Sequence, residues 1–390
     1  MTSRYRWVIL GAGTFAQSSF SAVSVGLPAL APSLRSHYRL SLGQTGVVLG
    51  AVGIGMLLTL LAWGLLADRI GERAVIALGL ITGGVALAAT GRTGGYPALV
   101  GLLVVCGALG AGVNAASGRA VMGWFGFEER GLALGIRQAA VPVGGATAAA
   151  ALPWLASAGG TKLAFEALGA GCIVGGVVAG VLMREAPTTP LPHPSAGHRP
   201  PLRDTRMWLL AGGSSLYLTA QIATMSFVVL FLHEHRGLST HAAAAVLATT
   251  NVLGIGARIG IGRWSDQAGA RLAPLRAIGL ALAAGMVVAA VLVDAPLELL
   301  VPALIVAGVL GLSWNGLSFT AAAERSGLAR SGAALGFQQT MLGVLGAAVP
   351  PAFAVFVAAT SWRAAFAVSA AGPVLGVLML QRVPEASALQ

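Results

Sequence analysis

Charge is what this chain has least of. Only 9% of its 390 residues are charged, and just 13 are acids. Soluble domains carry about 25% charged residues. A surface wholly exposed to water cannot be built from so few, which excludes a very apolar soluble enzyme. Aromatic residues are sparse at 6%, and lysine occurs once, as Lys162. The formal net charge of +11 raises the question of nucleic acid. However, the arginines fall between apolar runs and form no patch with aromatics, so no nucleic-acid partner is expected. Two cysteines, Cys106 and Cys172, supply neither a disulfide framework nor a metal set. They read as small apolar packing residues. No metal or other cofactor is expected. The glycine-rich GAGTFA at 11–16 lies inside an apolar run with no strand before it, so it is not a nucleotide loop. With no nucleophile–base set either, an enzyme is not expected.

What the chain has in abundance is apolar length. Hydrophobic residues make up 56%, and the mean hydropathy is +0.82. Runs of membrane-spanning length fall at 7–30, 42–66, 74–91, 98–122, 131–156 and 163–183, then at 208–232, 241–262, 273–293, 297–322, 332–357 and 364–381. MTSRYRW leads straight into the first run with no small-residue cleavage site, and reads as a retained span. The 55 glycines suit close helix approach in a membrane. The fold class is therefore an all-α membrane protein with 12 transmembrane helices. Residues 184–206 are rich in proline and polar side chains and read as a flexible linker. This divides the chain into an N-terminal six-helix bundle, 1–183, a cytoplasmic linker, 184–206, and a C-terminal six-helix bundle, 207–390.

Arginine placement orients the spans. With the N-terminus inside, cytoplasmic segments hold fifteen basic residues, among them Arg69, Arg73, Arg199, Arg271 and Arg330, against six in outer loops: Arg35, Arg39, Arg92, Lys162, Arg236 and Arg363. Both termini are expected in the cytoplasm and the chain in the plasma membrane.

The halves repeat one another. GLLADRIGER (64–73) aligns with GRWSDQAGAR (262–271) at a shift of 198, pairing Gly64/Gly262, Asp68/Asp266, Gly71/Gly269 and Arg73/Arg271. A shift of 201 pairs Asn114/Asn315, Ser117/Ser318, Gly135/Gly336 and Gln138/Gln339. Parallel repeats of six spans imply two pseudo-symmetric bundles about an axis along the membrane normal.

GLLADRIGER, between spans two and three, resembles the loop signature of the major facilitator superfamily, and its degenerate copy lies between spans eight and nine. The resemblance covers nearly the whole chain and points to a bacterial member. It implies a secondary transporter working by alternating access, with spans one, two, four and five and their counterparts lining a central cavity. It also implies a small-molecule substrate, a lipid bilayer environment and, by analogy, a monomer. In the loop signature Gly64 and Gly71 would let helices close tightly. Asp68 would cap a helix or pair with an arginine, and Arg69 and Arg73 would sit at headgroup level; Asp266 would do the same in the second half.

On the implied cavity-lining spans the polar inventory is Gln17, Asn114, Gln138, Tyr217, Gln221, Asn315, Gln338 and Gln339, with Gln17 and Gln221 in near-equivalent places. Three arginines fall within spans: Arg119, Arg137 and Arg258. A charge there costs at least about 2.5–3.5 kcal/mol near the bilayer centre unless it is paired or wet. Arg119, near the cytoplasmic end, reads as a gating or headgroup residue. Arg137, two turns into its helix, either faces substrate or serves the packing of a bent helix. Arg258, four residues before Gly262, resembles the carboxylate-binding arginine of monocarboxylate and oxalate transporters; the alternative is a carbonyl-bonded or gating role. The stretch GIRQAAVPVGGA is broadly similar to bacterial facilitators near the cyanate and nitroimidazole permeases. Cys106 stands where the drug antiporters carry an arginine. No acid falls in the cavity-lining spans, so a cationic site is expected, and guanidinium suits a carboxylate. A small organic anion is the expected cargo, moved with protons or by exchange. The alternative is an exporter of neutral or weakly acidic compounds. His233, Glu234 and His235 fall in an outer loop, where a metal site or proton relay competes with plain solvation.

Overall fold

The computed structural model describes residues 2–125, 129–185, 203–326 and 331–385. These residues form helices joined by short turns, with no strand among them. Most of the expected linker, and with it Arg199, lies outside the described residues, as does Arg330.

Among the described residues eleven helices are long and apolar enough to cross a membrane: Arg4–Tyr38, Leu42–Ile70, Glu72–Thr90, Tyr96–Val121, Leu132–Leu182, Thr205–His235, Thr240–Ala268, Leu272–Val291, Leu297–Ser326, Ala333–Ala359 and Trp362–Gln381. The fifth, at 51 residues, would be about 75 Å long at 1.5 Å per residue, more than twice the hydrocarbon thickness. It is broken at Gly159 (φ −142°, ψ 20°) and Gly160 (φ 70°, ψ −173°). Gly160 takes a left-handed conformation that a side chain would resist. The chain reverses there and makes spans five and six, so the crossings number twelve. Large side chains such as Leu58 (71% exposed) and Leu61 (77%) point outward. In a bilayer such side chains meet lipid tails.

Two compact units are present. Among described residues, the first holds those up to 185 together with Val229–Thr249, and the second holds 203 to Val228 and Thr250 to 385. Within the first unit, small residues bring helices to backbone contact. A Cβ on Gly55 would fall 2.6 Å from the Ala108 nitrogen, joining spans two and four. One on Gly84 would fall 2.6 Å from the Gly169 oxygen, and the reverse is equally true, joining spans three and six. In the second unit Gly213 meets the Gly376 backbone in the same way, and Gly308 faces the Thr250 side chain.

Two carboxylates outside the spans tie each repeat together. Glu385, just beyond span twelve, accepts backbone N–H bonds from Arg271 (3.2 Å), Leu272 (3.1 Å) and Ala273 (2.7 Å), capping span nine. Glu185, just beyond span six, accepts the Arg73 N–H at 3.3 Å at the start of span three. Anions at helix N-termini stabilise orphan amides. The two glutamates are a repeat pair that the loop signature does not include.

Candidate substrate site

Arg137 lies seven residues into the helix that begins at Arg130, about 10 Å from its start. It is half-buried, and among the described residues every partner it has is uncharged. Its Nε and Nη2 donate to Ser117 Oγ at 3.0 and 2.8 Å, its Nη2 also to Gln17 Oε1 at 2.8 Å, and its Nη1 to Gln138 Oε1 at 3.0 Å. Gln17 is fixed in turn, since its Nε2 donates to Asn114 Oδ1 at 3.1 Å and Ser21 Oγ at 3.3 Å. Four of the expected residues, Gln17, Asn114, Arg137 and Gln138, are thus assembled from spans one, four and five. Ser117, fully buried, is the acceptor on which the guanidinium rests. These oxygens hold the guanidinium without neutralising it. Two N–H bonds on each terminal nitrogen leave donor capacity at Nη1 for an anion.

The second unit carries the same triad without the charge. Ser318, the repeat partner of Ser117, donates to Ser214 Oγ at 2.8 Å, and Gln338 Nε2 donates to the same oxygen at 2.9 Å. Gln338 stands at the shift of 201 from Arg137, so glutamine occupies the arginine's place. It is fully buried, and its Oε1 has no hydrogen-bond partner among the described residues. Here the expected pairing of Gln17 with Gln221 needs correction. Ser214 fills the role of Gln17, at a shift of 197. Gln221 lies seven residues further on, two turns along span seven, and accepts from Trp314 Nε1 at 3.2 Å. Tyr217 is fully buried, with its hydroxyl donating to the Leu275 carbonyl of span nine at 3.2 Å. Asn315 and Gln339 are half-buried, on spans ten and eleven.

Arg258 Nε donates to the Leu312 carbonyl at 2.7 Å. That carbonyl lies at the break between Leu297–Ser313 and Asn315–Ser326, where helical bonding is interrupted and orphan carbonyls need donors. Of the two roles open to Arg258 from sequence, this contact matches the carbonyl-bonded one.

The loop signature forms a separate charge cluster. Arg119 pairs with Asp68, and its Nε reaches Glu72 Oε1 at 2.8 Å. Arg73 Nε donates to the Gly180 carbonyl at 2.6 Å. Arg69 is exposed. In the second unit Arg271 replaces Arg119 as the hub, meeting Asp266 at 2.5 Å and Glu324 at 3.1 Å. The close approach expected at Gly64 is not made, because nothing lies within 4 Å of where its Cβ would be. Gly71 is the position that requires glycine, with φ +85° and Glu185 against it. A hydrogen bond shared with Glu72 raises the Glu185 carboxyl above the usual range, with burial and the Glu72 charge acting the same way.

His233, Glu234 and His235 are not in a loop. They form the last turn of span seven, a wide turn over Phe231–His235. No group of three or more His, Cys, Asp or Glu among the described residues is placed to hold a metal.

Twelve crossings, paired six-span repeats and a polar cluster on the first, fourth and fifth spans are the architecture of a secondary transporter. The family model described as Major Facilitator Superfamily matches residues 10–351. An uncharacterized MFS-type transporter of Mycobacterium tuberculosis (strain H37Rv) is 32% identical over 385 residues, covering 96% of this chain and 84% of the relative. A probable sulfoacetate transporter of Cupriavidus necator is 31% identical over 146 residues, 37% of this chain and 34% of that protein. Among solved structures, a D-xylose-proton symporter superposes with TM-score 0.79 at 15% identity, over 99% of this chain and all (100%) of that one. A bacterial homolog of the human lysosomal transporter Spinster, inward-facing and occupied, gives 0.75 at 18%, over 97% and 95%. The chain belongs to the major facilitator superfamily. It is a multi-pass membrane protein and a transporter of small molecules by alternating access.

Proposed function

We propose that the chain carries a small organic anion, a carboxylate or sulfonate, across the plasma membrane, together with protons or in exchange for a second anion. The observation that carries this reading is Arg137, seated on Ser117, Gln17 and Gln138 with no carboxylate among its partners in the described residues. A cationic donor held by neutral acceptors in a partly dry site favours an anion over a neutral solute. The sulfoacetate transporter's likeness over 146 residues supports the same class. Binding neutralises the site and shifts the population toward closure around the cargo. The repeats 1–183 and 207–390 act as the two functional halves, joined by the linker. Both termini lie in the cytoplasm, and the working unit is a monomer that transports rather than catalyses.

The neutral triad of Ser214, Ser318 and Gln338 favours a second reading, export of neutral or weakly acidic compounds. Purified protein in liposomes separates the two. Uptake of labelled sulfoacetate, oxalate or lactate that saturates and is lost in Arg137→Gln supports the anion. Saturable flux confined to uncharged solutes, or anion uptake equal in Arg137→Gln, contradicts it.

A further inference from the structure

The segment Val229–Thr249 belongs by sequence to the second half, yet it packs into the first compact unit. Named contacts hold it there. Glu234 pairs with Arg35, on the short helix Ala31–Tyr38 that ends span one. His241 meets Trp154, near the end of span five, with ring centroids 4.4 Å apart and the planes tilted by 58°. The same segment and the short helix help line a polar pocket of about 410 Å³, whose residues include Ser33, His37, Thr161, His233 and Thr240. His233 is oriented by a 2.7 Å bond between Nδ1 and the Leu238 carbonyl. All of this lies at the end of the helices away from both termini, the outer face by arginine bias.

The other charged or titratable groups on these elements are His37 on the short helix and Arg39 just after it, Lys162 at the start of span six, His235 on the wide turn with Arg236 just after it, and His241 at the start of span eight. Glu166, further along span six, is tied to Arg92 at 2.6 Å. Apart from Glu166, these neighbours of Glu234 are basic or imidazole. Taking up a proton on Glu234 removes the attraction to Arg35. That event loosens the contact and follows a fall in outer pH.

We infer that Glu234 with Arg35, beside the imidazoles of His37 and His233, is the outer proton-binding site of this transporter: a proton taken from the outer water by the Glu234 carboxylate releases Val229–Thr249 from the first unit and opens the outer face to substrate. The inference rests on the reading of the chain as a proton-linked carrier, and it assigns the coupling site to the gate, apart from Arg137. Such a division puts the proton-binding acid at the outer end of span seven, away from the cluster around Arg137.

Thr161 lines the pocket and is only 4% exposed. In Thr161→Cys, labelling by a membrane-impermeant maleimide, normalised to denatured protein at each pH, reports release. The native cysteines are buried, and the parent protein gives the background. Labelling is expected to be at least about 5-fold faster at pH 5.5 than at pH 8. Adding Glu234→Gln, or separately Arg35→Gln, should make it fast at both pH values. In liposomes Glu234→Gln should lose the dependence of uptake on outer pH and keep its choice of anion. Labelling that ignores pH, or that stays slow at pH 8 in both charge variants, overturns the inference. Failure of the anion reading looks different: Arg137→Gln would then leave uptake unchanged, whatever the labelling shows.

Discussion

Arg137 and Gln338 occupy the same place in the two repeats, and one side chain sets the charge of that place. Each rests on an equivalent serine, Ser117 or Ser318, or shares a partner with it. Arg137→Gln is expected to raise the anion's KM by about 10²-fold, the scale of losing charged hydrogen bonds worth about 1.5–3 kcal/mol. The exchange Arg137→Gln with Gln338→Arg should recover part of that loss if net site charge is what the anion reads. Uptake kinetics of the two variants check this, and an exchange variant that is folded but no better than the single one contradicts it. Ser117→Ala should act more weakly than Arg137→Gln, because it removes the seat and keeps the charge.

The Glu185 carboxyl gives a second test at this scale. Its pKa is raised by sharing a hydrogen bond with Glu72. For a carboxyl raised on folding, the protonated form makes the contact. The stabilisation is therefore complete below the ordinary value of 4.5 and is lost as pH rises through the higher folded value. Thermal unfolding in detergent should show Glu185→Gln gaining on the parent as pH rises from 4 toward 7. A difference that does not change with pH contradicts the shared proton.

At the scale of elements, glycine placement decides which helices touch. Gly55→Val would drive its side chain into the Ala108 backbone. Overpacking costs about 1–3 kcal/mol, occasionally more, and little of this variant should be recovered monodisperse in detergent. Gly64→Ala faces open space and should be recovered at the parent's yield. Comparable losses in both would show that the glycine contacts are misjudged. The spans themselves, their number and the reversal between five and six follow from apolar run length and are readable from sequence, because the bilayer fixes how long a crossing must be. The breaks at Trp314 and within span seven are not readable, since their carbonyls find donors such as Arg258 only once helices are packed.

The site was partly visible for the same reason. Arg137, Gln17, Asn114 and Gln138 stand out as polar side chains in apolar runs, and the packed helices bring them together. Ser214 does not stand out, because a serine can bond its own helix at no cost. Its role appears only from the hydroxyl it shares with Ser318 and Gln338. Gln221 matches Gln17 in residue type alone, whereas the shared contact of the repeat is made two turns earlier, at Ser214. Glu185 and Glu385 are a repeat pair at a shift of 200, and looking for repeated acids after the sixth and twelfth spans would have found them.

At the scale of the whole molecule, the arginine distribution predicts orientation. A C-terminal green fluorescent protein fusion should fluoresce, and an alkaline phosphatase fusion at the same point should be inactive. The opposite pair of results would invert the topology and place the Glu234–Arg35 contact on the cytoplasmic side.

The central claim is that the Arg137 guanidinium selects the cargo. Its most direct test is equilibrium binding of sulfoacetate and oxalate to purified protein in detergent, compared between the parent and Arg137→Gln. The account predicts saturable binding of at least one anion to the parent and about 10²-fold weaker binding to the variant. Anion binding of equal strength to both would contradict it.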